Sequence, residues 1–268
     1  MNDDIAKITA ANRAAWDASA KHHKTGPYWN ELTTGFADPT YSRFDTTMTN
    51  ALLGAGIKDA RAVQIGCNNG REILSACALG AGYGLGLDQS AEFLAQGEIL
   101  RDISGHKCDF LCADIYNLPA DTPRNFDIAF ITIGVLNWMP DLARFFAVVN
   151  DLLRAGGRLV IYETHPFLEV FEPTAEAPFL PAHSYFKRDA FIEEMSITYD
   201  GTNTAGAPPS HWFIHPLGAI VTATIKAGLT LTALEEFPHS IREVEYDKYE
   251  DQAVQLPLSF LLTAQKPA

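Results

Sequence analysis

The sequence predicts an α/β fold with a mostly parallel sheet and helices on both faces. Short apolar runs alternate with segments of helical periodicity through the middle of the chain, which is typical of strands joined by crossover helices. A glycine-containing turn joins the first apolar run to the first of these helices. Hydrophobic residues make up 47% of the 268 residues, enough for one buried domain with an elaboration.

The predicted elements follow one another in a regular order. Predicted strands lie at residues 62–65, 83–87, 108–112, 126–132, 158–163, 230–237 and 256–264. Predicted helices lie at residues 2–20, 43–54, 71–79, 91–103, 142–153 and 217–227. The helix at 142–153 is followed by Gly156 and Gly157, which supply a helix stop.

Two segments lie outside this alternation. We predict that residues 1–50 form an N-terminal helical lid, and that residues 51–268 form the main domain. Residues 164–210 hold six prolines. This predicts an insertion at about 164–215, after the fifth strand, with one hairpin strand near 196–200. Open α/β sheets build substrate sites at the carboxyl ends of central strands, so we expect the insertion to cover the substrate.

The turn at residues 66–70 is the most informative motif. It reads Gly-Cys-Asn-Asn-Gly between a predicted strand and a predicted helix, the arrangement that nucleotide cofactors use. The second predicted strand leads to Asp88, 18 residues after Gly70. Folds of this kind place an acid at that distance to bind ribose hydroxyls. The two features together predict an adenosine-containing cofactor.

Composition narrows the partners and the compartment. Twenty basic and 33 acidic residues give a net charge of −13, which disfavours nucleic acid. There is neither a secretory signal nor an apolar run of the roughly 18 residues that span a bilayer. We therefore predict a cytoplasmic protein with a small-molecule partner, no nucleic acid and no membrane. Cys108 and Cys112 lie on a predicted strand, about 13 Å apart, too far to share a metal. The oligomeric state is left open.

Five motifs occur in a recognisable order: VQIGCNNGRE, GLGLDQS, LCADIYNLP, FDIAFITIGVLNWMPDL and LLRAGGRLVIYETHP. Because it contains these five motifs, the chain resembles class I S-adenosylmethionine-dependent methyltransferases of the small-molecule branch. The resemblance covers roughly residues 40–265. The resemblance implies a Rossmann-like seven-stranded sheet whose last strand is antiparallel. It also implies S-adenosyl-L-methionine as cofactor and methyl transfer to O, N or S of a small molecule.

The resemblance assigns each part of the cofactor to a turn at the end of a strand. The assigned residues are Gly66, Cys67, Asn68 and Gly70 for the methionine portion, Asp88, Gln89 and Ser90 for the ribose, Asp114 and Ile115 for the adenine, and Thr132, Ile133 and Gly134 for the sulfonium end. A carboxylate also suits two hydroxyl donors on chemical grounds, because charge-assisted hydrogen bonds are strong.

The first motif departs from the family pattern at two positions. Gln64 replaces the usual acid, and Asn68 replaces the middle glycine. Asparagine tolerates a left-handed backbone, so we expect the turn to persist. Loss of the acid predicts a weaker contact to the amino group of the cofactor. It also leaves open a catalytically silent sensor or partner subunit. A dehydrogenase is disfavoured because the Gly-x-Gly-x-x-Gly pattern is absent.

Methyl transfer is an in-line displacement that needs alignment and, for some acceptors, a base. His165, directly after the fifth predicted strand, and His211 and His215, beside the insertion, are the predicted catalytic bases. His165 has the alternative role of capping the turn before Pro166. The spacing of His211 and His215 would place both on one helix face, as a metal site or as packing. We predict no metal.

Aromatic residues are dense around the predicted site. Tyr28, Trp138, Tyr185 and Trp212 are predicted to contact the substrate, in a cage that also attracts a cationic sulfonium. Core packing between lid and sheet is the alternative role for part of this set. The aromatic lining predicts an aromatic or apolar methyl acceptor.

Overall fold

A seven-stranded sheet organises the protein, whose computed structural model describes residues 2–199, 202, 204–241 and 244–268. The strands are β1 Arg61–Ile65, β2 Tyr83–Asp88, β3 Cys108–Cys112, β4 Phe126–Thr132, β5 Leu153–Thr164, β6 Phe191–Met195, β7 Ala205–Trp212, β8 Thr230–Phe237 and β9 Ser259–Gln265. The helices are α1 Asn2–His23, α2 Gly26–Gly35, α3 Thr46–Ala55, α4 Arg71–Ala78, α5 Ala91–Ser104, α6 Leu142–Leu152 and α7 Leu217–Lys226.

The sheet order is β3-β2-β1-β4-β5-β9-β8. Strands β1 to β5 run parallel, while β9 is antiparallel to both β5 and β8. The chain order reverses direction across the sheet at β1, where β2 lies on one side and β4 on the other. The predicted Rossmann-like fold, mostly parallel with an antiparallel last strand, is confirmed.

Side chains of the central strands alternate between two buried layers. Val63, Ala129 and Ile161 point into the layer with α6 and α7. Their neighbours Ala62 and Phe130 point into the layer with α3 and α4. Each face therefore buries an apolar set at the period of two that strands impose. The sheet is covered on both faces, as parallel sheets require.

Phe110 of β3 packs over several glycines near the turn that follows β1. A Cβ atom added at Gly86 would lie 2.7 Å from a ring carbon of Phe110 and 2.7 Å from Sγ of Cys67. At Gly97 of α5 the nearest ring carbon would be at 2.9 Å. These glycines are needed for close packing of helix, strand and turn, and the packing holds the turn against the sheet.

The insertion differs from its predicted structure. The hairpin strand predicted at 196–200 is absent from 196–199, and residues 200 and 201 lie outside the described residues. Instead β6 and β7 pair as a separate antiparallel hairpin, with a register shift between Glu193 and Met195. Pro208 and Pro209 lie in β7. A loop was predicted there because proline has no N–H to donate to a neighbouring strand.

The N-terminal segment has one more helix than predicted. Helix α2 follows α1 after a short break, and it begins with Gly26 and Pro27, two residue types that usually interrupt a helix. Proline suits the first turn of a helix because its missing N–H has no intrahelical partner there. Among the described residues, none of the helices combines the length and the apolar character that crossing a membrane requires.

The packing around Phe110 predicts that Gly86→Ala destabilises the protein by about 1–3 kcal/mol, because the new methyl overlaps Phe110 and Cys67. Urea unfolding gives the free energy. Gly54→Ala is the matched control: its Cβ meets nothing within 4 Å in α3, so we expect about 0.5–1 kcal/mol of stabilisation. Equal effects of the two substitutions would contradict the packing argument.

Candidate functional site

A cavity of about 900 Å³ opens at the carboxyl ends of β1, β2, β3 and β4. Its floor is formed by the turns that follow these strands, and its walls include residues of α1, α2 and the insertion. This is the edge, beside the reversal of strand order at β1, where open α/β sheets bind ligands. The cavity is the candidate functional site.

The turn after β1 adopts the conformation that its glycines permit. The backbone φ angle is +67° at Gly66, +51° at Asn68 and +74° at Gly70. A Cβ at Gly66 would lie 2.7 Å from a methyl carbon of Val135. Asn68 therefore takes the left-handed conformation predicted for it, and Gly66 is needed both for its φ angle and for close packing.

Asp88 joins the ends of β1 and β2. Its Oδ2 accepts a hydrogen bond from the Asn68 N–H at 2.7 Å, and its Oδ1 accepts from the Ser90 N–H at 2.9 Å. Burial raises the pKa of this carboxyl, against the lowering effect of the backbone donors. A carboxylate offers about four acceptor sites, so two donors leave capacity for ligand hydroxyls.

Asp114 follows β3 in the same way. Its Oδ1 accepts from the Tyr116 N–H at 2.9 Å, which caps a short helical turn. Its Oδ2 accepts from the Thr9 hydroxyl of α1 at 2.7 Å. Ile115 lies next to it in the cavity wall. A carboxylate beside an apolar side chain is suited to a flat ring that carries an amine donor.

Buried carboxylates support the turn after β4. Glu163, which is 3% exposed, accepts from the N–H groups of Gly134 and Leu136. Asn137 donates to Glu169 at 2.7 Å, so a second carboxylate holds the same segment. Burial raises the pKa of Glu163 and of Glu169 to about 7, although their donors oppose this. The sequence analysis did not predict either role.

Gln64 lies beneath this turn. Its Nε2 donates to the Thr132 hydroxyl at 3.2 Å, and its Oε1 has no hydrogen-bond partner among the described residues. The side chain is buried and lies outside the residues that line the cavity. A neutral amide at this position avoids the cost of burying another charge.

Helix α1 is tied across the cavity by hydrogen bonds in addition to Thr9. The Ser90 hydroxyl donates to Asp17 at 2.6 Å, and Gln96 Nε2 donates to the Ala20 carbonyl at 2.7 Å. On the insertion side, Asn12 accepts from the His211 N–H at 2.6 Å. The helix therefore bridges the sheet domain and the insertion.

Most residues assigned to the cofactor line the cavity. They are Gly66, Asn68, Asp88, Gln89, Asp114, Ile115, Thr132, Ile133 and Gly134. Cys67, Gly70 and Ser90 are not among the lining residues. Cys67 packs against Gly86, Gly70 caps α4, and the Ser90 hydroxyl caps α5. These three residues shape the turns rather than the cavity surface.

The predicted catalytic histidines are not brought together at the cavity, since none of them is among its lining residues. His165 Nε2 lies 2.9 Å from Glu236, and its Nδ1 accepts from the Phe167 N–H. His215 Nε2 lies 2.8 Å from the Met139 carbonyl, and burial lowers the pKa of its ring.

The helical spacing proposed for His211 and His215 is wrong. Strand β7 ends at Trp212, so His211 is on the strand and His215 lies in the loop before α7. The described residues contain no group of His, Cys, Asp and Glu side chains arranged to hold a metal ion. Among the described residues, the histidines that line the cavity are His22 and His23 of α1, which the sequence analysis did not select.

The predicted aromatic contacts divide into two groups. Tyr28 and Trp138 line the cavity, and Trp16 of α1 packs edge-on against Trp138 with ring centroids 5.3 Å apart. Tyr185 and Trp212 are not among the lining residues. The Tyr185 hydroxyl accepts from the Leu217 N–H, and Trp212 stacks on the ring of Phe191 at 4.0 Å.

Sequence reasoning also missed several polar residues of the cavity. Arg71, Arg43 and Tyr199 line its wall together with Glu72. Arg71 directly follows Gly70 in the motif that identified the turn, so its position in the sequence could have indicated that it lies at the cavity. Arg43 and Tyr199 lie in segments without a motif, and only the fold brings them to the cavity.

Comparison with known proteins shows which family model and which solved structures this chain resembles. A family model described as a methyltransferase domain matches residues 63–161. A solved S-adenosylmethionine-dependent methyltransferase from Mesorhizobium loti has a TM-score of 0.56 at 21% identity and covers 81% of this chain and 96% of its own. Magnesium protoporphyrin IX methyltransferase from Synechocystis PCC 6803, solved with bound SAH, has a TM-score of 0.56 at 11% identity, with 98% and 99% covered.

A curated relative adds information about sequence. The tRNA U34 carboxymethyltransferase of Shewanella piezotolerans is 29% identical over an alignment of 168 positions, which covers 56% of this chain. The chain spans about half the length of this relative, 49%. Residues 63–161 thus match a methyltransferase domain, and the fold is that of solved S-adenosylmethionine-dependent methyltransferases, in agreement with the predicted resemblance to class I enzymes of this kind.

One prediction about partners is wrong. The net charge disfavoured nucleic acid, and no nucleic-acid partner was predicted, but the curated relative carries a name that specifies tRNA. Net charge describes the whole surface, whereas a nucleic acid contacts only a local patch. The total of 33 acidic residues against 20 basic ones therefore does not decide the matter.

The raised pKa of Glu169 makes stability depend on pH. Between about pH 4.5 and 7 the folded protein retains a proton that the unfolded chain releases, so stability falls as pH rises through this window. Glu169→Gln removes this dependence. We expect the variant to gain about 1–3 kcal/mol relative to wild type between pH 5 and pH 8.

Urea unfolding at both pH values measures this difference. Glu176→Gln, at an exposed position of the insertion, is the control and should show a constant difference from wild type. A constant difference for Glu169→Gln as well would show that the buried carboxylate does not retain its proton.

Proposed function

We propose that this protein transfers the methyl group of S-adenosyl-L-methionine to O, N or S of a small aromatic or apolar molecule. The observation that carries the proposal is the pairing of two carboxylates, Asp88 and Asp114, with an aromatic cavity at the ends of parallel strands. The volume of about 900 Å³ lies near the top of the range for ligand pockets, which favours two ligands side by side.

The cofactor would lie across the strand ends. In this arrangement Asp88 accepts from the ribose hydroxyls, Asp114 accepts from the adenine amine, and Ile115 contacts the ring. The turn at 66–70 faces the methionine portion, and Thr132, Ile133 and Gly134 face the sulfonium. For Asp114 to receive the amine, the Thr9 hydroxyl must share or yield Oδ2.

The reaction is an in-line displacement. A lone pair on the acceptor forms a bond to the methyl carbon while the carbon–sulfur bond breaks, and its electrons return to sulfur. The sulfonium becomes a neutral thioether, and a protonated acceptor releases its proton. The protein contributes alignment and exclusion of water, and alignment alone contributes about 7–11 kcal/mol in favourable cases. The faces of Trp16, Trp138 and Tyr28 are suited to a cationic sulfonium.

The predicted domain organisation belongs to this proposal. The segments 1–50 and 164–215 would close over the bound molecules, with α1 as the bridge between them. The described cysteines are free, and three of the four are buried, which is consistent with a cytoplasmic location.

A base is required only for acceptors that carry a proton. His165, His211 and His215 remain predictions for this role, although none of them lines the cavity. His165 bonds to Glu236 outside the wall, whereas His215 contacts the carbonyl of Met139, which is a lining residue. His22 lines the cavity and is solvent-exposed, so it is the alternative base. A tertiary amine, a thioether or a thiolate has a lone pair and no proton to lose, so such an acceptor would need no base.

A nucleic-acid acceptor is the second candidate. It is favoured by the name of the curated relative, whose matched region covers 56% of this chain. Incubation with methyl-labelled cofactor and either total tRNA or a deproteinised small-molecule extract separates the two candidates. We expect label in the small-molecule fraction. Label in tRNA would establish the second candidate, and label in neither would favour the silent binding protein.

Cofactor binding depends on Asp88 in this proposal. We expect Asp88→Ala to weaken binding of S-adenosylhomocysteine by about 1.5–3 kcal/mol, because charge-assisted hydrogen bonds are lost. Calorimetric titration measures the affinity, and thermal melting shows whether the variant folds. Asp121→Ala, at an exposed loop position, is the control and should bind as wild type does. Unchanged affinity in Asp88→Ala would refute the ribose assignment.

A further inference from the structure

One side of the cavity gathers positive charge in a chain whose net charge is −13. Arg71 and Arg43 both contribute to the cavity wall. Their side chains are only 11% and 22% exposed. Guanidinium groups stay charged in proteins, so this side of the cavity holds two cations, each paired with a glutamate.

The guanidinium group of Arg71 does not use all of its hydrogen-bond donors. Its Nε contacts Glu72 Oε1 at 2.7 Å, whereas its buried Nη1 has no hydrogen-bond partner among the described residues. Its Cζ lies 5.0 Å from the centroid of the Tyr199 ring. A buried donor without an acceptor is costly, and an acceptor atom of a ligand would satisfy it. The side chain therefore has donor capacity for a ligand in the cavity.

Arg43 repeats this arrangement from a different segment. Its Nη1 pairs with Glu31, and its buried Nε has no partner among the described residues. Its Cζ lies 5.7 Å from the centroid of the Tyr28 ring. Tyr28, Arg43 and Arg71 all line the same cavity.

This cluster is chemically opposite to the sites assigned to the cofactor's ribose and adenine, where Asp88 and Asp114 supply acceptors. Two guanidinium groups in the same cavity as a sulfonium repel it unless an anion compensates them. Glu72 and Glu31 each pair with one nitrogen of one arginine and leave other donors unused. Each guanidinium therefore has a carboxylate partner already, and its remaining donors are what the acceptor atoms of a ligand would use.

We propose that Arg71, Arg43, Tyr28 and Tyr199 form a subsite that binds the carboxylate of the methyl acceptor. The inference rests on the proposed function and narrows its substrate class to aromatic carboxylic acids. A carboxylate matches the planar fork of donors on a guanidinium, and phenol hydroxyls add further donors. The aromatic body of such an acid would lie against Trp138 and Trp16, which line the same cavity.

The test uses pairs of probes of nearly the same shape, in which a neutral amide replaces the carboxylate. Protein saturated with S-adenosylhomocysteine is titrated with benzoate and benzamide, and with indole-3-acetate and indole-3-acetamide, by calorimetry. We expect each acid to bind at least tenfold more tightly than its amide. We expect Arg71→Met to reduce that preference below threefold. Equal binding of acid and amide in the wild-type protein, for both pairs, overturns the proposal.

Arg101→Met on α5 is the matched control, because this arginine pairs with Asp102 and is not among the lining residues. It should keep the full acid preference. If Arg71→Met fails to fold by circular dichroism, Arg43→Met takes its place with the same expectation. An acid preference that survives in a folded Arg71→Met or Arg43→Met variant overturns the proposal.

The amino-acid portion of the cofactor also carries a carboxylate. A second titration distinguishes an arginine that binds the carboxylate of the cofactor from one that binds the carboxylate of the acceptor. S-adenosylhomocysteine carries the amino-acid portion, whereas 5′-methylthioadenosine lacks it. We expect Arg71→Met to change the affinity for either compound by less than threefold. A loss of tenfold or more for S-adenosylhomocysteine alone would assign the arginine to the cofactor and overturn the acceptor subsite. Failure of the wild-type protein to bind either compound would instead refute the proposed function.

Discussion

The hydrogen bond from the Asn68 N–H to the Asp88 carboxylate is the contact on which the site depends. It joins the turn after β1 to the end of β2, and it is made only because Asn68 adopts a φ angle of +51°. The same turn is held from below by Phe110, whose ring occupies the space left by the glycines. One backbone conformation therefore sets the floor of the cavity and orients the carboxylate that faces it.

The second constraint is the helix that bridges the cavity. Helix α1 donates from Thr9 to Asp114 and accepts at Asp17 from Ser90, so it contacts the turns after β3 and β2. Asn12 connects it to the hairpin of the insertion. The aromatic and cationic parts of the wall come largely from these outer segments, while the acidic floor comes from the sheet. In the proposed arrangement the cofactor therefore lies on the sheet, and the acceptor lies against the outer segments.

The sequence predicted correctly those features that depend only on residues close together in the chain. The strands 108–112, 126–132 and 230–237 were predicted with the bounds that the structure shows, because each is a short apolar run between turns. The insertion was harder to interpret. Its prolines suggested a loop, but a register shift between Glu193 and Met195 lets β7 pair with β6 despite Pro208 and Pro209. Such a shift depends on the partner strand and leaves no local pattern.

The sequence alone determined the fold class, the turn at 66–70 and the acids that follow the second and third strands, because glycine spacing and apolar runs act over a few residues. Only the tertiary structure decided which polar side chains share the cavity. It gathered Arg71, Arg43 and Tyr199 from distant segments, and it left His165 bonded to Glu236 away from the cavity wall. Contacts between distant segments depend on how α1 and the insertion pack, and single-sequence periodicity does not encode that packing.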